Sequence, residues 1–562
     1  MRREVSVVNK KVCSFPILFA LLALLIGTCA VVFPASAQAA PTSTGSITVS
    51  GTVASSYDAY QIFSANVVDG DSDAKIATDL AWASDAARDA VLPVLHSAGM
   101  PNSQTTAREA AEWLNTDSHL TSALSAQLAR SLQSSGAVSV ALNAGTTAEL
   151  PCGYWLIVAD DDAISQNEAG TAPIMALVGG SAVTVKPKAA TPKVVKHVLE
   201  DSTAAWGKAA DATVADDLYW RLSATVPAGL TAYDTYTVRF VDTMSAGFDP
   251  SKVASSIRVY AAAGADGGFD AVQTDKDGRV GTDPAKGWTD ITAQCVTKMA
   301  ADGTFTVRTG DLIAALGGAD AFTAGARVVA VYNAPLSSAC SHGIAKGNPN
   351  EVYLRYPRSP FADQSGDAGF TRTPSDDACA YTWDLALTKR GSDGDKPLAG
   401  AVLSIADDRG RTLAADGTWD AEGKATVTTG EDGRVTVSGV DSGKLKVREL
   451  KAPKGYTAFE GARSVTVKAE GLDVDQVAAA KPKLTITAES PLRADSADGS
   501  TGSLEASLIN TPTGTPPSIT TGGFMPSTGD MAMYAAAAAA VAGAALIVVA
   551  LLVKRGGGSH KE

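Results

Sequence analysis

Side chains alternate across a β-strand, so residues two apart share a face. Several short apolar alternations in this chain run on, in phase, into residues that a core does not ordinarily accept. In 381–389 the apolar set Trp383, Leu385 and Leu387 continues to Lys389. In 445–449 Leu445 and Val447 continue to Glu449, and in 504–510 Leu504, Ala506 and Leu508 continue to Asn510. An earlier region repeats the arrangement. Lys196 lies between Val194 and Val198, Asp242 follows Tyr236, Val238 and Phe240, and Asn350 precedes Val352, Leu354 and Tyr356. Taken singly, each is also what a strand end emerging into water presents. Two regions that each place a lysine first, an acid midway and an asparagine last are a stronger constraint. A buried charge is costly unless paired, so the three residues of each set are expected to meet inside a β domain.

One chemistry uses these three groups. Apolar surroundings lower the pKa of a lysine and raise that of a carboxylic acid. A neutral lysine amine can then attack the asparagine carboxamide carbon and expel ammonia, leaving an intramolecular isopeptide bond. The protonated acid polarises the carboxamide and shuttles protons. Strands held as neighbours in a sandwich supply the high effective molarity that the reaction needs. Such a bond clamps a domain as a disulfide would, without redox sensitivity. The expected sets are Lys196, Asp242 and Asn350, with Asn348 and Asn333 as open alternatives to Asn350, and Lys389, Glu449 and Asn510.

The 562 residues are enough for several domains. Residues 1–39 read as a secretory signal peptide: Arg2, Arg3, Lys10 and Lys11 form a basic start, 15–33 is apolar, and Ala35-Ser36-Ala37 and Ala37-Gln38-Ala39 are small-residue cleavage sites. Residues 40–190 read as a mostly β domain with an Ala-rich helical insertion over roughly 74–132, in which Thr105 caps a helix at 107–114. Residues 191–373 read as a second, nearly all-β domain, and the polar stretch 359–378 as a linker. Residues 379–511 read as a third. Short strands broken by Gly and Asp turns predict immunoglobulin-like β-sandwiches in tandem. Residues 512–524 form a Pro/Gly/Thr spacer.

The chain ends on Met525-Pro526-Ser527-Thr528-Gly529, an uncharged apolar run over 531–553, and Lys554-Arg555 with a polar tail. The run is long enough for a transmembrane helix, and the basic pair would stop it at the cytoplasmic face. The pentapeptide resembles the LPXTG sorting signal of Gram-positive surface proteins, with Met525 in place of Leu. That resemblance implies sortase cleavage between Thr528 and Gly529, and attachment to peptidoglycan outside the membrane.

The chain also resembles the backbone pilins of Gram-positive bacteria. Glu449-Leu450-Lys451-Ala452-Pro453-Lys454-Gly455-Tyr456 is similar to that family's E-box, ETKAPxGY, with Leu450 for Thr. Residues 385–389 with Pro397-Leu398-Ala399-Gly400-Ala401 resemble the opening of its collagen-adhesin B-type (CnaB-like) domain. Phe240–Ser245 and Gly347–Leu354 resemble its middle fimbrial domain. The resemblance implies the isopeptide bonds already described, with Asp242 and Glu449 as their catalytic acids. It also implies an exposed lysine that attacks the sortase thioester of the next subunit. Val185-Lys186-Pro187-Lys188-Ala189 occupies the place of the family's VYPKN motif, which aligns Lys188 with the motif lysine and leaves Lys186 as the alternative.

Other classes find less support. A net charge of −13 argues against nucleic acid as a partner. Asp69, Asp71 and Asp73 begin like a calcium loop, but Ala74 stands where its glycine belongs and Leu80 where its glutamate belongs. Asp160–Asp162 reads as a solvated loop. The histidines have no metal-ligand spacing, so neither metal nor cofactor is expected, nor an enzyme. Of six cysteines, Cys13 and Cys29 fall in the signal peptide. Three pairings of the other four remain open, with Cys295–Cys340 preferred because both fall in one domain. Two functions stay in view. One is a pilus shaft subunit, joined covalently to identical subunits and to minor pilins. The other is an adhesin for a host ligand, anchored singly or placed at a pilus tip or base.

Overall fold

The structure, a computed structural model, describes residues 43–514 except 52, 72, 73, 117, 171, 188–190 and 277. The expected signal peptide, the sorting signal with Thr528, Gly529 and its apolar run, most of the spacer, and Lys188 lie outside the described residues. Among the described residues, no helix is long and apolar enough to cross a membrane.

The chain is mainly β, arranged in successive pairs of sheets. In the first region the strand Thr44–Val49 is central to a three-stranded sheet, antiparallel to Thr147–Pro151 and parallel to Val183–Val185. The long strand Ser56–Asp69 organises a five-stranded sheet, paired to Lys75–Trp82, Ser139–Asn143 and Gly153–Ala159. The helical insertion is shorter than its composition suggests. Residues 75–82 form a strand, because Gly70 N donates to Ala74 O at 2.7 Å and the chain then pairs back along Phe63–Asp69. Cross-strand pairing here outweighs the helix propensity of the alanines. The helices are Asp85–Ser97, Ala107–Leu114 and Ser122–Ser134. The cap of the second is Thr106, not Thr105. Its hydroxyl accepts from Glu109 N while the Glu109 carboxylate accepts from Thr106 N, a reciprocal capping box.

The middle region is a sandwich of a six-stranded and a seven-stranded sheet. Its core includes Trp220, Tyr236, Phe240, Phe305, Tyr332 and Leu354. The strand Lys193–Glu200 lies in the first sheet beside Tyr219–Val226. Arg239–Met244 and Asn348–Pro357 are antiparallel neighbours in the second.

The expected linker over 359–378 is largely built into this sandwich. Phe370–Arg372 pairs with 355–357, and Asp376–Tyr381 pairs antiparallel with 348–352 and parallel with Ala209–Asp211. Alternation lets the latter strand serve two cores: Ala378 and Ala380 pack into the middle one, Cys379 and Tyr381 into the third. The expected boundary at 379 therefore runs through a shared strand.

In the third region the strand Trp383–Gly391 and the final strand Ser503–Pro512 are parallel neighbours in one sheet. The strand Gly443–Lys451 belongs to the facing sheet, between Val402–Ala406 and Ala462–Glu470.

The cysteines correct one expectation. Cys152, Cys295, Cys340 and Cys379 are all free, and Cys295 Sγ instead donates to Ile291 O at 3.3 Å. Burial pushes the Cys295 thiol up to about 12 and the Cys340 thiol up to about 11.

Candidate functional site

Both polar sets converge. In the third region Lys389 and Asn510 sit on the adjacent parallel strands, where Lys389 pairs with Leu508 and Gly391 with Asn510. Lys389 is 1% exposed. Its Nζ donates to Leu508 O at 3.0 Å and stands 3.8 Å from Glu449 Oε1. Glu449 reaches in from the facing sheet, and both its carboxylate oxygens accept from Asn510 Nδ2, at 2.8 and 2.9 Å. Asn510 Oδ1 is buried without a hydrogen-bond partner. Burial lowers the Lys389 pKa to about 8, against the opposing pull of Glu449. The amine thus reaches its neutral, nucleophilic form far more readily than a solvated lysine.

The residues after Glu449 hold this geometry. Tyr456 N donates to Pro453 O at 3.1 Å, closing a turn. The short strand Tyr456–Thr457 then pairs with Thr511–Pro512, directly beyond Asn510. The Tyr456 hydroxyl ties down the loop after Lys389 by donating to Asp393 Oδ1 at 2.9 Å. The E-box-like segment therefore delivers the acid and braces the far ends of both strands that carry the reacting groups.

In the middle region Lys196, Asp242 and Asn350 are each fully buried. Lys196 Nζ forms an ion pair with Asp242 Oδ2 and lies 5.3 Å from the centroid of the Trp220 ring. Burial lowers the Lys196 pKa to about 8 and raises that of Asp242; the attraction between the two opposes both shifts. Here the lysine strand and the asparagine strand lie in facing sheets, not side by side as in the third region, so a Lys196–Asn350 bond would cross the core.

A fourth residue, which alternation alone does not single out, completes this site. The Tyr332 hydroxyl accepts from Lys196 Nζ at 3.0 Å and from Asn350 Nδ2 at 2.8 Å, and donates to Asp242 Oδ2 at 2.9 Å. The signal available was parity: in Ala326–Asn333, Tyr332 shares the inward face of Val328 and Ala330. The alternatives to Asn350 are engaged elsewhere. Asn333 Oδ1 accepts from Leu218 N and its Nδ2 donates to Asp217. Asn348 is bound to Ser341 N, Ser341 O and Ala380 O.

Of the assembly residues, Lys186 is described: it is exposed, immediately after the strand Val183–Val185, whose Val185 is buried. No group of three or more His, Cys, Asp or Glu residues that could hold a metal ion occurs among the described residues.

Residues 384–481 match the family model described as SpaA: prealbumin-like fold domain. This stretch is similar to that domain. The matched stretch contains Lys389, Glu449 and the E-box-like segment; Asn510 lies on the strand that closes the sheet beyond the matched residues. Over 120 residues the chain is 32% identical to the trypsin-resistant surface T6 protein of Streptococcus pyogenes serotype M6; the match covers 20% of this chain and 20% of that protein, so the chain spans about a fifth of its relative. Among solved structures, the T6 backbone pilin of the same serotype is 17% identical, with a TM-score of 0.45, over 84% of this chain and 98% of that one. The full-length major pilin SpaD of Corynebacterium diphtheriae is 15% identical, with a TM-score of 0.41, over 85% and 100%. The major pilin SpaA of that organism is 14% identical, with a TM-score of 0.37, over 83% and 99%. The proteins this chain is similar to are thus backbone and major pilins. Identities and scores this low leave the chemistry to be read from the residues themselves.

Proposed function

We propose that the chain is the shaft subunit of a covalently polymerised pilus on a Gram-positive cell surface. The observation that carries this reading is the buried lysine–acid–asparagine set in each of two successive domains. Burial makes both amines easier to deprotonate and keeps both centres from bulk solvent, and an acid touches the carboxamide directly or through Tyr332. Attack of Lys389 Nζ on Asn510 Cγ, and of Lys196 Nζ on Asn350 Cγ, forms an amide and releases ammonia at each site. Domains locked in this way suit a filament under tension better than a freely diffusing protein.

Assembly is read from the two sequence motifs, the sorting pentapeptide and the lysine pair at 186–188. Sortase cleaves between Thr528 and Gly529 and holds Thr528 as a thioester. The amine of Lys188 in another subunit, or of Lys186 in the alternative register, attacks that thioester, forming an amide and freeing the enzyme's thiol. The last thioester is resolved by peptidoglycan. Pro187 keeps the local backbone extended between the two lysines, a shape suited to an enzyme cleft. A denaturing gel of cell-wall extract tests the proposal. A ladder of high-mass species is expected; a single band would replace the shaft reading with a singly anchored adhesin.

A further inference from the structure

We infer that Tyr332 is a catalytic residue of the middle-domain crosslink, a phenol that relays a proton between Asp242 and the departing nitrogen of Asn350. The inference rests on the crosslinking role proposed above for Lys196 and Asn350. Its basis is a difference between the two sites. In the third domain Glu449 itself accepts from Asn510 Nδ2. In the middle domain the carboxamide nitrogen donates to the Tyr332 oxygen at 2.8 Å, and that hydroxyl donates to Asp242 at 2.9 Å. Aspartate is one methylene shorter than glutamate, and the phenol occupies the interval. Its oxygen accepts from the attacking amine and from the leaving group while donating to the acid. Such a fully engaged hydroxyl in a buried core is aligned with every reacting atom except the carbonyl.

The step balances without any further reagent. As the neutral Lys196 Nζ bonds to Asn350 Cγ, the carboxamide nitrogen loses conjugation and becomes a proton acceptor. The Tyr332 hydroxyl, which donates to Asp242 in the resting site, turns toward this nitrogen, gives it the hydroxyl proton and takes the proton of the Asp242 carboxyl. The Cγ–Nδ2 bond breaks and ammonia leaves. The Asp242 carboxylate then takes the extra proton from Nζ. One N–C bond forms, one breaks, and both Tyr332 and Asp242 return to their starting protonation. In the third domain the corresponding transfer runs directly through Glu449.

The test compares the full-length wild-type chain with Tyr332→Phe and with the double variant Asp242→Glu/Tyr332→Phe, quenched in acid at set times after synthesis. Peptide mapping follows the Lys196–Asn350 branched peptide, and the Lys389–Asn510 peptide serves as an internal clock. Proton transfer by a placed group contributes about a hundredfold or more to such steps. Tyr332→Phe should therefore slow the middle-domain crosslink about a hundredfold and leave the third-domain clock unchanged. Asp242→Glu should restore most of that rate by letting the acid reach Asn350 directly. Equal rates in wild type and Tyr332→Phe overturn the inference. Should Tyr332→Phe alone leave the middle domain open to trypsin, the double variant decides: crosslinking supports the relay, and a folded but uncrosslinked double variant overturns it. Absence of the branched peptide from mature wild type refutes the middle-domain crosslink itself, a different failure.

Discussion

Replacing Lys389 with methionine isolates what the third-domain bond contributes. Methionine keeps the length and apolar stem of the lysine, and a swap of this kind in a core ordinarily costs under about 1.5 kcal/mol. It removes the nucleophile and leaves no buried ammonium, and Glu449 keeps both its contacts to Asn510. The main loss is the link between strands at opposite ends of a segment of about 120 residues. Treated as loop closure, a crosslink over that length stabilises by about 5 kcal/mol. For a domain of this size 1 kcal/mol is worth about 4 °C, so the third-domain transition should fall by about 20 °C. Calorimetry of the mature chain resolves that transition, and intact mass counts ammonia lost. The wild type should be short of its calculated mass by two ammonia molecules and the variant by one. A transition displaced by only a few degrees, in a variant whose mass proves the bond absent, would refute the loop-closure argument. A wild-type mass without deficit would sink the crosslinks altogether.

Four further outcomes are expected. Asp242→Asn should abolish the middle-domain bond alone, raising the mass by one ammonia and exposing residues 191–378 to trypsin while the third domain resists. Asn350→Ala leaves Lys196 free to titrate, with a folded pKa near 8 against 10.5 unfolded. Between those values the unfolded chain holds the extra proton, so stability must rise with pH from about 8 to 10.5 and be flat below, which denaturant titration across that range measures. In the wild type the same depression makes the rate of crosslink formation fall about tenfold per pH unit below 8, since only the neutral amine attacks. Lys188→Ala should remove the cell-wall ladder from an otherwise folded, secreted protein. A ladder that survives Lys188→Ala but is lost with Lys186→Ala moves the motif by two residues, and one that survives both removes it.

The residues differ in how far they could be read in advance. Alternation located Lys196, Asp242, Lys389, Glu449 and Asn510, because a face either contains a polar residue or does not. It could not separate Asn350 from Asn348, which share a face; that required knowing that Asn348 is held by the 341 backbone. It assigned faces but not sheets, so it missed that the middle site crosses the core. Tyr332 gave no warning because a tyrosine on an inward face is unremarkable until its hydroxyl is seen to have three partners. The strand at 75–82 was hidden by local propensity, which long-range pairing overrode, and 376–381 by a polar composition that concealed two apolar faces, each owned by a different core.

The antiparallel return of Asp376–Tyr381 along 348–352 has a mechanical consequence. With the proposed crosslinks in place, tension entering the middle domain passes through Lys196 to Asn350 and skips everything between. In the third it passes from Lys389 to Asn510 and again skips the interior. Residues 351–388 join these two short circuits; within them the stretch 351–378 leaves Asn350 and returns to it, since Asn350 and Ala378 are cross-strand partners. The two ends of that stretch therefore start side by side, and pulling peels them apart one pair at a time instead of shearing all pairs at once. Roughly thirty residues at about 3.4 Å each store on the order of 100 Å of hidden length per subunit. A fibre built this way would pay out that slack under load and take it up again afterwards, acting as a shock absorber whose covalent sections never stretch.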